Sequence, residues 1–248
     1  MAPTERCGQA QERVVAVGKD RTMSDVPLSR GKLAAAIDQT LLRIDASILE
    51  VRQGCELAAE HEFAAMCVRP CDVVEASKVL DGTGVAVATT IAFPLGYAAT
   101  PVKSAETLRA IEDGADEIDM VMNIGRLLEG QDDYVGEDIA AVVARAGGRI
   151  VKVILECCYL SRSQMACACR AACEAGADFV KTSTGFGPSG ATVSDVRFLR
   201  GEVGASMGVK AAGGIATLSE AVAMLGAGAT RLGTSKGTSI LAELACEG

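Results

Sequence analysis

The stretch Glu112-Asp-Gly-Ala-Asp-Glu-Ile-Asp119 closes a helical run on a glycine and reopens at once as an apolar strand, and it decides the fold because it recurs. Glu174-Ala-Gly-Ala-Asp-Phe-Val-Lys181 and Leu225-Gly-Ala-Gly-Ala-Thr-Arg-Leu232 carry the same order of helix stop and strand start. Gly114, Gly176 and Gly228 each stand just past a helix, where a left-handed residue satisfies the last carbonyls without a Cβ clash. Working outward from residue 33, short strand-like runs alternate with helical runs of about 10–15 residues, the pattern of successive βαβ units around a parallel sheet. Eight strands are predicted, at Ala35–Asp38, Phe63–Val68, Val85–Ile91, Glu117–Met122, Ile150–Glu156, Phe179–Thr182, Val209–Ala211 and Thr230–Gly233. Eight units without a linker predict an α/β fold of one kind, a single (β/α)8 TIM barrel with a short N-terminal extension. An open doubly wound sheet is the weaker alternative, since no G-x-G-x-x-G follows the first strand.

Residues 1–30 are polar, mixed in charge and aperiodic, and read as a disordered or loosely attached leader, with residues 31–248 as the barrel domain. Glu5, Glu12 and Asp20 argue against a transit peptide, and the segment lacks the apolar core of a secretory signal. Met23 is a second plausible start.

Composition removes several function classes. The chain has 248 residues and a formal net charge of −8, with 3% aromatics and no Trp, which argues against nucleic acid as a partner. The longest near-apolar run, Val85 to Phe93, is too short to span a membrane. A single histidine, His61, excludes HExxH zinc sites and is expected as a solvated residue at a helix end. Ten cysteines without paired CxxC spacing indicate neither a zinc site nor a disulfide framework, and so many free thiols suit a reducing, cytoplasmic setting.

In a barrel the outward face of each strand packs on helices and must be apolar, so a charged residue alternating with apolar ones points inside. Ile118, Met120 and Met122 share one face of the fourth strand, which turns Asp119 inward. Val151, Val153 and Leu155 do the same in the fifth, leaving Lys152 and Glu156 inside as an expected internal pair. Lys181 in the sixth strand, Lys210 in the seventh and Asp38 in the first follow by the same parity. Buried lysines and carboxylates are costly unless paired or used. Two neighbouring lysines at the C-terminal ends of adjacent strands have a specific use. A free lysine has a pKa of about 10.4 and cannot attack a carbonyl until burial or a nearby cation disfavours its charged form. The result is a Schiff-base nucleophile, with Asp119 placed to move protons while the imine forms. Gly213-Gly214 follows the seventh strand, and Gly233-Thr-Ser-Lys236-Gly follows the eighth and opens the last helix. Glycines and free amides there make a small-anion site where barrels often hold phosphate, with Lys236 adding positive charge.

With those residues in place, the chain resembles the deoxyribose-phosphate aldolase family, class I aldolases on a TIM barrel. The matching segments are Ile37-Asp-Gln-Thr-Leu-Leu, Met66-Cys-Val-Arg-Pro, Phe93-Pro-Leu-Gly, Glu117-Ile-Asp-Met-Val-Met-Asn-Ile-Gly, Lys152-Val-Ile-Leu-Glu, Phe179-Val-Lys-Thr-Ser-Thr-Gly-Phe, Val209-Lys-Ala-Ala-Gly-Gly-Ile and Leu232-Gly-Thr-Ser. The resemblance implies a lyase that reversibly cleaves 2-deoxy-D-ribose 5-phosphate to D-glyceraldehyde 3-phosphate and acetaldehyde, in carbohydrate and deoxyribonucleotide catabolism. It implies Lys181 as the Schiff-base residue, Lys210 as the group that perturbs its pKa, Asp119 in the proton relay and Asp38 supporting Lys210. Thr40 and Thr184 would touch the sugar hydroxyl, with Gly185 beside them, and Gly213, Gly214, Gly233, Thr234 and Ser235 would hold the phosphate. It further implies no cofactor and no metal, because the iminium is the electron sink, and a homo-oligomer with no membrane or nucleic-acid partner. Gln39, where many relatives have His, and Ala216, where an Arg commonly helps bind phosphate, depart from the pattern; Lys236 is expected to offset the second. The alternatives are a Schiff-base barrel aldolase for another phosphosugar, or an inactive phosphosugar-binding barrel.

Overall fold

In the computed structural model, which describes residues 28–246, the three repeated stretches end their helices in the same way. Gly114, Gly176 and Gly228 have φ values of 106°, 80° and 110°. Each donates its N–H to a carbonyl three residues back, Ile111, Cys173 and Leu225, while the following alanine reaches five back to Ala110, Ala172 and Met224. These are Schellman closures, which consume the orphan carbonyls and turn the chain directly into the next strand. Asp116 and Asp178 then accept from the N–H of Val87 and Val151 at 2.9 and 2.8 Å, docking each returning chain on the start of the neighbouring strand.

The strands are β1 (Ile37–Leu41), β2 (Ala65–Val68), β3 (Ala86–Ile91), β4 (Glu117–Val121), β5 (Ile150–Ile154), β6 (Phe179–Lys181), β7 (Gly208–Ala212) and β8 (Arg231–Thr234). All pair in parallel with their sequence neighbours, and β8 pairs with β1 to close the barrel. The helices are α1 (Arg30–Ala34), α2 (Ile48–Glu60), α3 (Val73–Leu80), α4 (Thr100–Glu112), α5 (Ile124–Leu128), α6 (Asp132–Ala146), α7 (Arg162–Glu174), α8 (Val193–Val203), α9 (Leu218–Gly226) and α10 (Gly237–Cys246). Capping boxes start α2, α7 and α9, at Ser47 with Glu50, Ser161 with Gln164 and Thr217 with Glu220. Among the described residues no helix is long and apolar enough to cross a membrane.

The main core lies between strands and helices and includes Ile118, Met120, Met122, Val151, Val153, Val180, Val209 and Leu232, the outward faces that parity assigned. Inside the barrel the β2–β3 side is small and apolar, with Ala65, Cys67, Ala86 and Ala88. The opposite side is charged.

Each predicted strand shifts at one end or both, the second starting at Ala65 and not Phe63, and two of the shifts have a clear local cause. The first begins at Ile37 rather than Ala35, because Ser29 caps α1 by accepting from Lys32 N–H and Ala35 is spent closing that helix. The fifth stops at Ile154, and Glu156 adopts a left-handed conformation with φ 55° that leads into a short 3₁₀ turn. Glu156 therefore leaves the strand's inward row, and the internal pair with Lys152 expected from sequence does not form. His61, expected to be solvated, closes α2 half-buried, accepting from Arg30 Nη2 at 3.0 Å and lying edge-on to Phe63. Cys55, Cys67, Cys157 and Cys169 are buried free thiols, and no disulfide occurs among the described residues. The leader, apart from residues 28–30, lies outside the described residues, as does Met23.

Candidate active site

Strand register brings the inward charges together before any side chain is considered. Asp119 sits opposite Lys152 across β4 and β5, Lys181 opposite Lys210 across β6 and β7, and Lys210 opposite Arg231 across β7 and β8. Asp119 is the hub. Its Oδ2 accepts from Lys181 Nζ and Lys210 Nζ, each at 2.7 Å, and its Oδ1 accepts from Lys152 Nζ at 2.9 Å. Asp38 lies within ion-pair distance of Lys210 at 2.5 Å, Arg231 at 2.5 Å and Lys152 at 3.2 Å. Glu117 binds Lys152 at 2.5 Å and Arg231 at 2.9 Å, so Lys152 finds its partners across the barrel and not in Glu156.

Burial and charge act on these groups in opposite senses. For Lys181 burial is the largest influence, and with the Lys210 ammonium alongside it outweighs Asp119, holding the amine below the ordinary lysine range. For Lys210 burial also favours the neutral form, but Asp119 and Asp38 more than reverse it and keep that lysine above the ordinary range. Burial works against the charged forms of Asp119 and Asp38 too, and the surrounding lysines, with Arg231 beside Asp38, hold both carboxyls below the usual carboxylate range. Of the two neighbouring lysines, Lys181 is thus the one whose charged form is disfavoured.

Access makes the same choice. A cleft of about 660 Å³ opens at the C-terminal ends of the strands, and Lys181 lines it. Asp119, Lys210, Asp38 and Lys152 are fully buried beneath it. Every other residue expected at the ligand, namely Thr40, Thr184, Gly185, Gly213, Gly214, Gly233, Thr234, Ser235 and Lys236, also lines the cleft.

Several of these positions are fixed by neighbours the sequence reading did not supply. Thr184 donates its hydroxyl to Glu156 and offers its backbone N–H to the same carboxylate at 3.2 Å, so Glu156, displaced from the strand, anchors the loop after β6. The Thr184 oxygen also accepts from Phe186 N–H at 3.0 Å. Thr234 donates to Ile215 carbonyl at 2.6 Å and ties the two glycine-rich loops together. Gln39 accepts from Gly237 N–H at 3.1 Å and donates to Ser235 carbonyl at 3.3 Å, clamping the turn that opens α10. Gly233 has a packing reason beside any ligand role, since a Cβ there would lie 3.1 Å from Lys210 Cε and 2.9 Å from Ala212 Cβ. Ala216 lines the cleft and brings no charge.

Glu117 and Arg231 were absent from the sequence reading, although the signal was present. Glu117 shares the parity of Asp119, and Arg231 alternates with outward Leu232.

A lysine of lowered basicity at the floor of a cleft, a carboxylate bridging it to a second lysine, and two linked glycine-rich loops at the rim suit imine chemistry on a small anionic carbonyl compound. Comparison with known proteins gives the chain a family. A family model for DeoC/LacD family aldolases matches residues 32–243. A deoxyribose-phosphate aldolase of Streptococcus equi subspecies zooepidemicus is 51% identical over 205 residues, covering 83% of this chain and 93% of that protein. One from Streptococcus pneumoniae is 50% identical over 210 residues, covering 85% and 96%. The solved tetrameric deoxyribose phosphate aldolase of Aeropyrum pernix superposes with a TM-score of 0.83 at 34% identity, covering 89% of this chain and 94% of that one. With the match running from within α1 through all eight strands and into α10, the chain belongs to the DeoC/LacD family of aldolases.

Proposed function

We propose that the chain reversibly cleaves 2-deoxy-D-ribose 5-phosphate to D-glyceraldehyde 3-phosphate and acetaldehyde through a Schiff base on Lys181. The observation that carries this reading is that, of the three buried barrel lysines, only Lys181 lines the cleft. Its Nζ attacks the C1 aldehyde of the open-chain sugar. Loss of water from the carbinolamine needs a proton delivered to the departing hydroxyl, and the Asp119–Lys210 pair is the source within reach. The iminium then accepts the electron pair of the C2–C3 bond as the Asp119–Lys210 pair, one proton short after the loss of water, takes up the proton of the C3 hydroxyl, releasing glyceraldehyde 3-phosphate and an enamine. Protonation at C2 and hydrolysis free acetaldehyde and return Lys181. Asp38 supports this relay by holding Lys210 charged at 2.5 Å.

The phosphate is assigned to the loops of Gly213, Gly214, Gly233, Thr234 and Ser235, with Lys236 supplying the formal positive charge that Ala216 does not. Thr40 and Thr184 face the sugar. The proton of Thr184 is committed to Glu156, so this residue serves the substrate as an acceptor and through the loop it anchors. The tetramer formed by the Aeropyrum relative supports a homo-oligomer here as well.

Borohydride trapping with acetaldehyde or deoxyribose 5-phosphate, followed by peptide mapping, tests the reading. The expected result is one reduced adduct, on Lys181. Trapping only with other phosphosugars would point to a different Schiff-base aldolase, and no adduct from a folded protein would leave a binding barrel.

A further inference from the structure

The charged groups inside the barrel form one closed network whose charges do not balance. Four cations, Lys152, Lys181, Lys210 and Arg231, meet three carboxylates, Asp38, Glu117 and Asp119. A low-dielectric barrel interior penalises the surplus charge, and releasing one proton removes it. Arg231 cannot release one. Lys152 touches three carboxylates, Lys210 two, and Lys181 one. Lys181 is therefore the group whose proton is held least strongly, and it is the one that faces the cleft.

We infer that Arg231 and Glu117, at the floor of the network and remote from the substrate, are positioning residues that set the charge balance and so keep Lys181 as a free amine. The inference rests on Lys181 being the Schiff-base residue. Asp38 comes from β1, Glu117 and Asp119 from β4, Lys152 from β5, Lys210 from β7 and Arg231 from β8. β2 contributes Cys67, whose thiol burial pushes up to about 11 and leaves neutral, and β3 contributes no titratable side chain. Glu156, above the strands, is bound to Thr184 and touches no cation of the network.

The test is the pH midpoint for cyanoborohydride trapping of acetaldehyde on Lys181, with an unphosphorylated probe so that no substrate phosphate titrates. Arg231→Met removes the surplus and stabilises the charged amine, so the midpoint should rise by about one pH unit, as for a unit charge change a few ion-pair lengths away. Glu117→Gln enlarges the surplus and should lower the midpoint by about the same amount. The double variant restores the original surplus and should return the midpoint to that of the parent, while Arg231→Lys should not move it. If Arg231→Met does not fold, the fall in Glu117→Gln decides the sign alone. Loss of trapping amplitude without a shift, or a double variant whose defects add instead of cancelling, would overturn the inference. Absence of any Lys181 adduct in the parent protein at every pH would instead refute the Schiff-base reading itself.

Discussion

Lys103 with Asp138, wedged between α4 and α6, and Lys181 with Asp119, inside the barrel, are both buried lysine–aspartate contacts, yet only the second opens onto a cleft. The helix pair joins one lysine to one carboxylate, and both carboxylate oxygens and two of the ammonium protons are bonded. Lys103 Nζ lies 2.5 Å from Asp138 and donates to Val121 carbonyl at 2.9 Å, and Thr100 donates to the other carboxylate oxygen at 2.8 Å. Burial lowers the basicity of Lys103 as it does that of Lys181, so basicity alone does not separate a structural lysine from a reactive one. Access and charge balance separate them. One cluster is sealed and neutral; the other carries one cation too many, at the floor of the cleft.

Five substitutions can break or sharpen that contrast. Lys181→Arg removes the nucleophile and puts a permanent cation where a free amine stood, so kcat should fall by at least about 10⁴-fold with no trapped adduct. Asp119→Asn withdraws the hub of three lysines and should lower kcat by about 10²–10⁴-fold, measured by steady-state kinetics on the folded variant. The same variant tests linkage. Asp38 and Asp119 are held below the usual carboxylate range, so as pH falls below about 5 the unfolded chain takes up protons that the folded one does not. Their stabilising contribution is complete above the unfolded pKa and is lost on acidification. Urea midpoints should therefore drop with pH in the parent, and less steeply in Asp119→Asn.

Lys103→Met strands Asp138 without its partner and should cost about 3–5 kcal/mol of stability in urea titration, while the folded fraction still traps acetaldehyde on Lys181. Lys103→Met combined with Asp138→Leu should recover most of that loss, since a balanced buried pair can be exchanged for apolar packing. If the pair variant loses trapping while folded, the helix cluster is more than structural. Lys236→Ala is the smallest effect, raising KM for the phosphorylated substrate by about tenfold, as for one charge-assisted contact, with kcat for unphosphorylated deoxyribose unchanged. An unchanged KM would remove Lys236 from the phosphate site.

Inward-facing residues were legible because strand parity is strict. Once Ile118 and Met120 must face the helices, Asp119 has one direction left, and Lys152, Lys181, Lys210 and Asp38 follow likewise. Their partners were not legible. Lys152 and Glu156 look paired along one strand, but β5 ends at Ile154, and the long lysine side chain reaches across the barrel to β1 and β4. Likewise the sequence singles out Thr184 as a sugar contact and Gln39 as a departure from the family pattern, without indicating that one is held by Glu156 and the other clamps Ser235 to Gly237.

The sequence by itself determined the repeated helix stops, the barrel and the set of residues turned toward its interior, because these depend on local backbone preference and on the period of two along a strand. Only the tertiary structure decided which charges meet, which lysine reaches the cleft and that the network closes with a surplus cation. Barrel closure joins strands as far apart in the chain as β1 and β8, and neither periodicity nor spacing encodes contacts made at that separation.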